Sequence, residues 1–351
     1  MSETGAIFHR AKAYTDLARW HAIAADLRRT DPVHRVVTED FDPFWAVTRH
    51  ADILEIERQP DRFLNTRDVV LLPVAERERQ RRSGVDVKTL VHMDGTEHGA
   101  YRAITNEWFK PAALRRRVEA NLDALARRFV DRMAEMGGRC DFVRDIALFY
   151  PLHVIMTILG VPEADEPLML QLTQQLFGNE DREFGGDNRE RAKFKALMTF
   201  AQYFAAMTAD RRARPTDDIA STIANGRIDG EALGDLETAS YYVIIATAGH
   251  DTTSSALSGG FEALVRNPDQ LAALKADPTL LDNAVEEMLR WTTPVRHFMR
   301  QATEDAVLRG ERIAAGDWLL LSYLSGNFDE EVFDDPRRFN IRRPNADAHV
   351  A

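Results

Sequence analysis

The chain has 351 residues, 44% of them hydrophobic and enough to fill a core, and its 56 Asp and Glu outnumber 45 Lys and Arg for a net charge of -11. That balance argues against nucleic acid as the main partner, and no basic tail offsets it. The N-terminus MSETGAIFHRAK lacks the apolar run of a secretory signal, no stretch approaches the roughly 20 apolar residues of a membrane span, and the single cysteine, Cys140, excludes an intrachain disulfide, so a cytoplasmic protein without membrane contact is expected.

Leu17, Trp20, Ile23, Ala24 and Leu27 fall at helical spacing over 14–29, and Asp31-Pro32 ends the pattern. Val33 to Val37 and Phe44 to Thr48 read as short strands around a Glu-Asp-Phe-Asp-Pro turn, and Asp52 to Arg58 as a short helix. From Asn65 to Val91 periodicity is weak and charge is dense, with ERERQRR at 76–82, so a solvated loop is expected. His92 to Pro111 holds a helix on which His98 and Arg102, four apart, share one face. Leu114 to Met136 predicts a long amphipathic helix stopped by Gly137-Gly138. Its Arg115, Arg116, Arg117, Arg127 and Arg128 form a basic patch on an acidic protein, either a solvated face or a dock for an acidic partner. Cys140, in GRCDFV, reads as a small hydrophobe without a function. Helices follow over 146–159, closed by Gly160-Val-Pro162, then over 168–177 and 194–211, joined by a charged connection at 178–191, and a short one lies near 218–224.

From about Gly230 to Arg266 the pattern predicts one unusually long helix, with Asp229 as N-cap and Asn267-Pro268 as its stop. Within it, YYVIIATAGHDTTSS at 241–255 is apolar on every face of its first half, hence sheathed in protein. Gly249 removes bulk at the centre, and Asp251-Thr252-Thr253 then places an acid and two hydroxyls where packing alone favours Leu or Ala. A Thr252 hydroxyl bonded back to the Ala248 carbonyl bends the helix and opens a polar notch suited to a small ligand. An acid beside a rotatable hydroxyl is the minimum needed to carry a proton from solvent to that ligand. A glycine-kinked core helix with satisfied polar groups is the competing reading. Downstream, Glu287 and Arg290 share one face of a helix over 280–291. Exposed, the pair is worth at most about 1 kcal/mol; buried, it needs further partners. Short strands are expected at 306–308 and 318–322, with turns at Gly310 and Gly316.

AGHDTT resembles the oxygen-binding helix motif, Ala/Gly-Gly-x-Asp/Glu-Thr-Thr/Ser, of the haem-thiolate monooxygenases, the cytochrome P-450 superfamily. Glu287-Met-Leu-Arg290, followed by a Pro, resembles the same family's Glu-x-x-Arg helix at the expected separation. The resemblance implies a single, mainly α domain over 1–351 with small β-sheets, binding haem b and inserting one atom of dioxygen into a C–H bond of an apolar small molecule. Electrons would come from a ferredoxin-type donor with its NAD(P)H-dependent reductase. The resemblance gives Asp251 and Thr252 the catalytic proton delivery and sets Ala248 and Gly249 against the cofactor. It makes His98, Arg102, Arg300 and His349 propionate partners, and Pro294, Val295 and Phe298 the substrate pocket. Arg338, in the Arg338-Phe339 segment, would complete a structural knot with Glu287 and Arg290. The 65–91 region would cover the substrate pocket, and the 178–191 connection would be a lid that admits substrate.

The family's Phe-Gly-x-Gly-x-His-x-Cys-x-Gly loop, whose cysteine thiolate binds the iron, and the final helix should follow Ala351. No residue of this chain is then the metal ligand, Cys140 lies too far back to substitute, and the 351 residues are expected to be a fragment, inactive alone, of a competent enzyme. YYVIIATAGHDTTSS, WTTPVRHFMR and FYPLHVIMTILGVPEADEPLMLQLTQ most resemble bacterial terpene-alcohol hydroxylases of the α-terpineol type, with steroid side-chain hydroxylases more distant. A terpenoid substrate is therefore expected, with a steroid side chain as the alternative. Two other readings stay open: a peroxide-using member of the superfamily, which usually lacks the acid and alcohol pair, and a haem-free pseudoenzyme or binding scaffold.

Overall fold

A computed structural model describes residues 4–65, 68–83, 88–177 and 189–351. They fall into two compact units, one of residues 1–86, 91–95 and 255–351 and one of residues 87–90 and 96–254.

The first unit is built on a five-stranded sheet in the order Val33–Val36, Phe44–Val47, Trp318–Leu321, Phe298–Ala302, Phe63–Leu64. The Phe44–Val47 and Trp318–Leu321 strands run parallel, Phe44 opposite Trp318, and the other pairs are antiparallel. Alternating residues serve opposite faces. Val36, Phe44, Ala46 and Leu320 join one apolar cluster with Trp20, Leu27 and Phe328, while Val33, Val47, Leu319 and Leu321 join another with Ile53 and Ile56. That is the period of two a pleated strand imposes. The expected helices at 14–29 and 52–58 are Leu17–Thr30 and His50–Glu57.

An expected loop in this unit is not one. The charged stretch read as a loop holds a helix, Val74–Ser83. Its start is tied by the Val74 N–H donating to the Asp40 carbonyl and by the Pro73 carbonyl accepting from Glu76 and Arg77. Arg77 pairs with Asp42 and lies 3.7 Å from Asp68. A helix held by its cap and by ion pairs carries no apolar stripe, so periodicity does not register it.

The second unit is helical. Gly95–Phe109, Pro111–Glu135, Phe149–Leu159, Glu166–Phe177, Arg189–Ala213 and Ile219–Ala224 lead to Asp235–Ala248. Gly137 and Gly138 are both left-handed, as is Gly160 at φ 80, where the Phe149–Leu159 helix stops. A Cβ on Gly160 would overlap the Asp218 carboxylate, so only glycine fits there. Asp218 in turn caps Ile219–Ala224 by accepting from the Ser221 N–H at 2.7 Å. Cys140 is exposed rather than buried, in the irregular stretch that follows the turn at Gly137-Gly138. Of the 178–191 connection, residues 178–188 lie outside the described residues. Among the described residues no helix is long and apolar enough to cross a membrane.

The long helix expected from 230 to 266 is two helices, Asp235–Ala248 and Asp251–Arg266. Ahead of them stands a hairpin, Arg227–Ile228 with Glu231–Ala232, whose turn puts Asp229 at φ 51 and Gly230 at φ 85. Asp-Gly is a strong short hairpin signal, so Asp229 turns a strand instead of capping a helix. The cap position falls to Gly234, whose N–H donates to Glu237 Oε2 at 2.7 Å.

The first half of the spine is sheathed as expected, with Tyr241, Tyr242, Val243, Ile245, Ala246 and Thr247 all buried. Phe204 stacks on Tyr242 at 4.8 Å between ring centroids. Both tyrosine hydroxyls are satisfied: Tyr242 donates to the Ala220 carbonyl, Tyr241 to that of Tyr101. A buried phenol needs such a partner.

Candidate functional site

The spine breaks between Ala248 and Asp251. Ile155 packs against Gly249 so closely that a Cβ there would come within 3.0 Å of its Cδ1 and Cγ1. Glycine is therefore set by a neighbouring side chain, with no unusual φ involved. Across the break the Thr252 hydroxyl donates to the Ala248 carbonyl at 2.8 Å, the back bond expected from the sequence. This is where the sheath opens: Ala248 and Thr253 are exposed and Gly249, Asp251 and Thr252 half-buried, next to a run at 240–247 in which Ile244 alone is half-buried and the rest are buried. The acid, the hydroxyl and the small residues are thus gathered at one step of the helix. Asp251 keeps about two-fifths of its side chain in solvent, at 40% exposure, so it can exchange protons with water.

His250, the spacer of the AGHDTT motif, has no exposed surface. Its Nε2 lies 2.8 Å from the Leu148 carbonyl and its Nδ1 lies 3.0 Å from Asp251 Oδ1, the latter close but not aligned as a hydrogen bond. Leu148 sits where a short π-helical turn, Val143–Ala147, hands over to Phe149–Leu159.

In the first unit the Glu287 carboxylate is fully buried and saturated. Arg290 grips it with two bonds, Nε to Oε2 at 2.7 Å and a terminal nitrogen to Oε1 at 2.9 Å. The Asn340 N–H donates to Oε1 at 2.8 Å. The third charged partner is Arg343, with Nε 3.0 Å from Oε2, and not Arg338, which is exposed and contributes only its backbone carbonyl as an acceptor for Arg343. The reason is the local turn. Asp335 adopts φ 43 and Phe339 plugs an apolar cluster, which leaves its neighbour Arg338 pointing out.

The expected propionate partners have different settings. His98 is half-buried and Arg102 exposed, neither with an ion pair among the described residues. Arg300 is close to Glu57 at 3.3 Å and donates to the Met299 carbonyl at 2.9 Å. His349 Nε2 lies 3.0 Å from Glu286 Oε2. Pro294, Val295 and Phe298 are half-buried, the last edge-on to Tyr323. The same segment holds two residues passed over in the sequence. One terminal nitrogen of Arg296, stacked over Tyr14 at 4.9 Å, and both ring nitrogens of His297 are buried without partners. Burial pulls the His297 imidazole down to about 4. On the basic helix, Arg117 lies over Trp108 and near Asp217, and Arg128 pairs with Glu163, while Arg115, Arg116 and Arg127 stand exposed.

A family model described as Cytochrome P450 matches residues 75–349. Cytochrome P450-terp of Pseudomonas sp. is 44% identical over 330 residues, covering 90% of this chain and 77% of that protein. A steroid C26-monooxygenase of Mycolicibacterium smegmatis is 35% identical over 330 residues, covering 92% and 75%. Among solved structures, CYP108D1 from Novosphingobium aromaticivorans superposes with a TM-score of 0.90 at 40% identity, over 98% of this chain and 83% of that one. Mycobacterium marinum CYP268A2, in complex with pseudoionone, superposes with a TM-score of 0.87 at 32% identity, over 95% and 81%.

Proposed function

Because the chain belongs to the cytochrome P450 family, whose members are haem-iron monooxygenases, we propose that the break at Ala248–Thr252 is the proton-delivering side of a site that oxidises an apolar terpenoid. The observation that carries this is the step that opens directly after the buried run at 240–247, where Thr252 bonds back to Ala248 beside a solvent-reaching acid. The residues present suit a haem. Small residues leave a helix face uncovered at Ala248 and Gly249, and the segment that holds Arg300 also buries an unmatched guanidinium nitrogen of Arg296, a cationic donor set in want of carboxylates. His98, Arg102, Arg300 and His349 are proposed as propionate partners, His349 only after releasing Glu286. Haem b would supply the iron chemistry that activates dioxygen and oxidises a C–H bond.

The chain's own groups meter protons and exclude water. Thr252 donates its hydroxyl proton to the Ala248 carbonyl, so its oxygen lone pairs are free to accept a hydrogen bond from a proton carrier. Asp251 reloads from solvent. Pro294, Val295 and Phe298 offer a half-buried apolar surface with no charge of its own, which suits a hydrocarbon substrate. A terpenoid is favoured by the likeness to Cytochrome P450-terp, and a steroid side chain by the likeness to the C26-monooxygenases. Arg115 and Arg116, unpaired among the described residues, are proposed to meet an acidic ferredoxin-type donor fed by an NAD(P)H-dependent reductase.

The test is expression of the natural reading frame to its own stop, with haem. The reduced, carbon monoxide-bound protein should show the absorption of thiolate-ligated haem, and a Thr252→Ala protein should consume reductant while releasing hydrogen peroxide in place of product. Tight coupling in that variant removes the proton-delivery reading, and absence of the haem spectrum favours a scaffold protein. Arg115→Glu with Arg116→Glu should slow reduction by the donor and flatten its salt dependence, leaving peroxide-supported turnover unchanged.

A further inference from the structure

The buried imidazole at the break has a geometry that the motif does not explain. A carbonyl oxygen can only accept, so the 2.8 Å contact between His250 Nε2 and the Leu148 carbonyl requires a proton on Nε2. In the neutral ring Nδ1 is then a bare lone pair. It is buried, has no aligned partner, and faces Asp251 Oδ1 at 3.0 Å. Two lone pairs that close repel, whereas one proton placed between them turns the contact into a charge-assisted bond. Asp251 also has somewhere else to go, because 40% of its side chain is in solvent.

The geometry points to His250 as the positioning residue for Asp251. Anchored through Leu148, its Nδ1 accepts the carboxyl inward only when the pair holds an extra proton and turns the bare carboxylate out toward water. The proton that Asp251 collects in solvent is thus carried in as the carboxyl swings to Nδ1, and once it is passed on toward Thr252, repulsion from Nδ1 returns the carboxylate to reload. No bond other than those to the proton is made or broken. The functional half of this inference rests on the proton-delivery reading above; the positional half does not.

Two substitutions separate the faces of the ring in the full-length holoenzyme. His250→Gln keeps a donor at the position of Nε2 and removes Nδ1. His250→Asn keeps a polar group at the position of Nδ1 and gives up the Leu148 anchor. His250→Gln is expected to lower kcat about tenfold at unchanged KM, within the range of a lost proton-transfer group, and to raise the solvent isotope effect, with His250→Asn recovering part of the loss. Nitrogen NMR of labelled histidine supplies a readout that needs no turnover: the His250 Nδ1 signal should move in Asp251→Asn while Nε2 stays protonated. Gln outperforming Asn, or an Nδ1 signal indifferent to Asp251→Asn, overturns the inference. An Nδ1 signal that moves while Asp251→Asn keeps wild-type kcat upholds the positioning and discards the relay it was meant to serve.

Discussion

Glu287 and Asp251 are both carboxyls set into helices where packing alone asks for hydrocarbon, and their surroundings are opposite. Glu287 has no exposure and accepts from two arginines and a backbone N–H. Asp251 is two-fifths exposed at 40% and faces one buried nitrogen with which it makes no aligned bond. A buried charge with every lone pair engaged has no lower-energy alternative nearby, so it fixes the chain around it. A carboxyl with an unmatched neighbour on one side and water on the other is not fixed in that way, and on the inference drawn above it has two positions. The first is built to stay and the second to move.

The largest effect expected of that difference comes from unsealing Glu287. Arg343 donates to the carboxylate and, with its other nitrogens, to the carbonyls of Asp334, Asp335 and Arg338. Arg343→Ala should therefore cost about 3–5 kcal/mol, the penalty of breaking a buried pair from one side. Arg338→Ala, on the exposed neighbour, should stay within about 0.5 kcal/mol. Denaturation midpoints at constant slope in urea decide between them. Equal losses in the two variants would return the knot to the arginine expected from the sequence.

That pair of arginines also marks the limit of what can be read without coordinates. The strands Val33–Val36 and Phe44–Val47, the left-handed stop at Gly160 and the back bond of Thr252 are all legible, because each rests on residues within a few positions of one another. Arg338 and Arg343 are indistinguishable by type, and the choice falls to a turn at Asp335 and to the burial of Phe339. His250 is hidden for a similar reason. It occupies the free position of its motif, and its partner on Leu148 is 102 residues away. The Val74–Ser83 helix escapes because ion pairs and a cap hold it where an apolar stripe would have shown it.

His297 is the intermediate case: its two ring nitrogens are buried and, like His250 Nδ1, unmatched. Desolvation lowers its folded pKa to about 4, against about 6.5 for an unfolded histidine. The unfolded chain therefore binds more protons between those values, so stability is whole above about pH 6.5, falls as the pH drops toward about 4, and levels off below. The slope should approach about 1 kcal/mol per pH unit. His21, which burial and nearby arginines lower to about 3, adds a similar slope over the same window. Replacing His297 by Phe should therefore reduce the slope of the apo protein by about 1 kcal/mol per pH unit, measured as urea midpoints across the window, and an unchanged slope would assign the whole proton uptake to other groups.

The smallest effect on stability is expected at the break itself. Thr252→Ala removes one hydrogen bond from a half-exposed hydroxyl, a loss of about 1 kcal/mol, while alanine regains up to about 0.7 kcal/mol of helix propensity over threonine. The net change should be a few tenths. The Ala248 carbonyl then becomes free to take the backbone N–H four residues on, and amide exchange over 249–253 should slow as the step straightens. A nearly neutral substitution that uncouples turnover is the signature of a group kept for its chemistry. If Thr252→Ala costs as much as Arg343→Ala, the break is another sealed inclusion, and the contrast between a charge that stays and one that moves has no physical basis here.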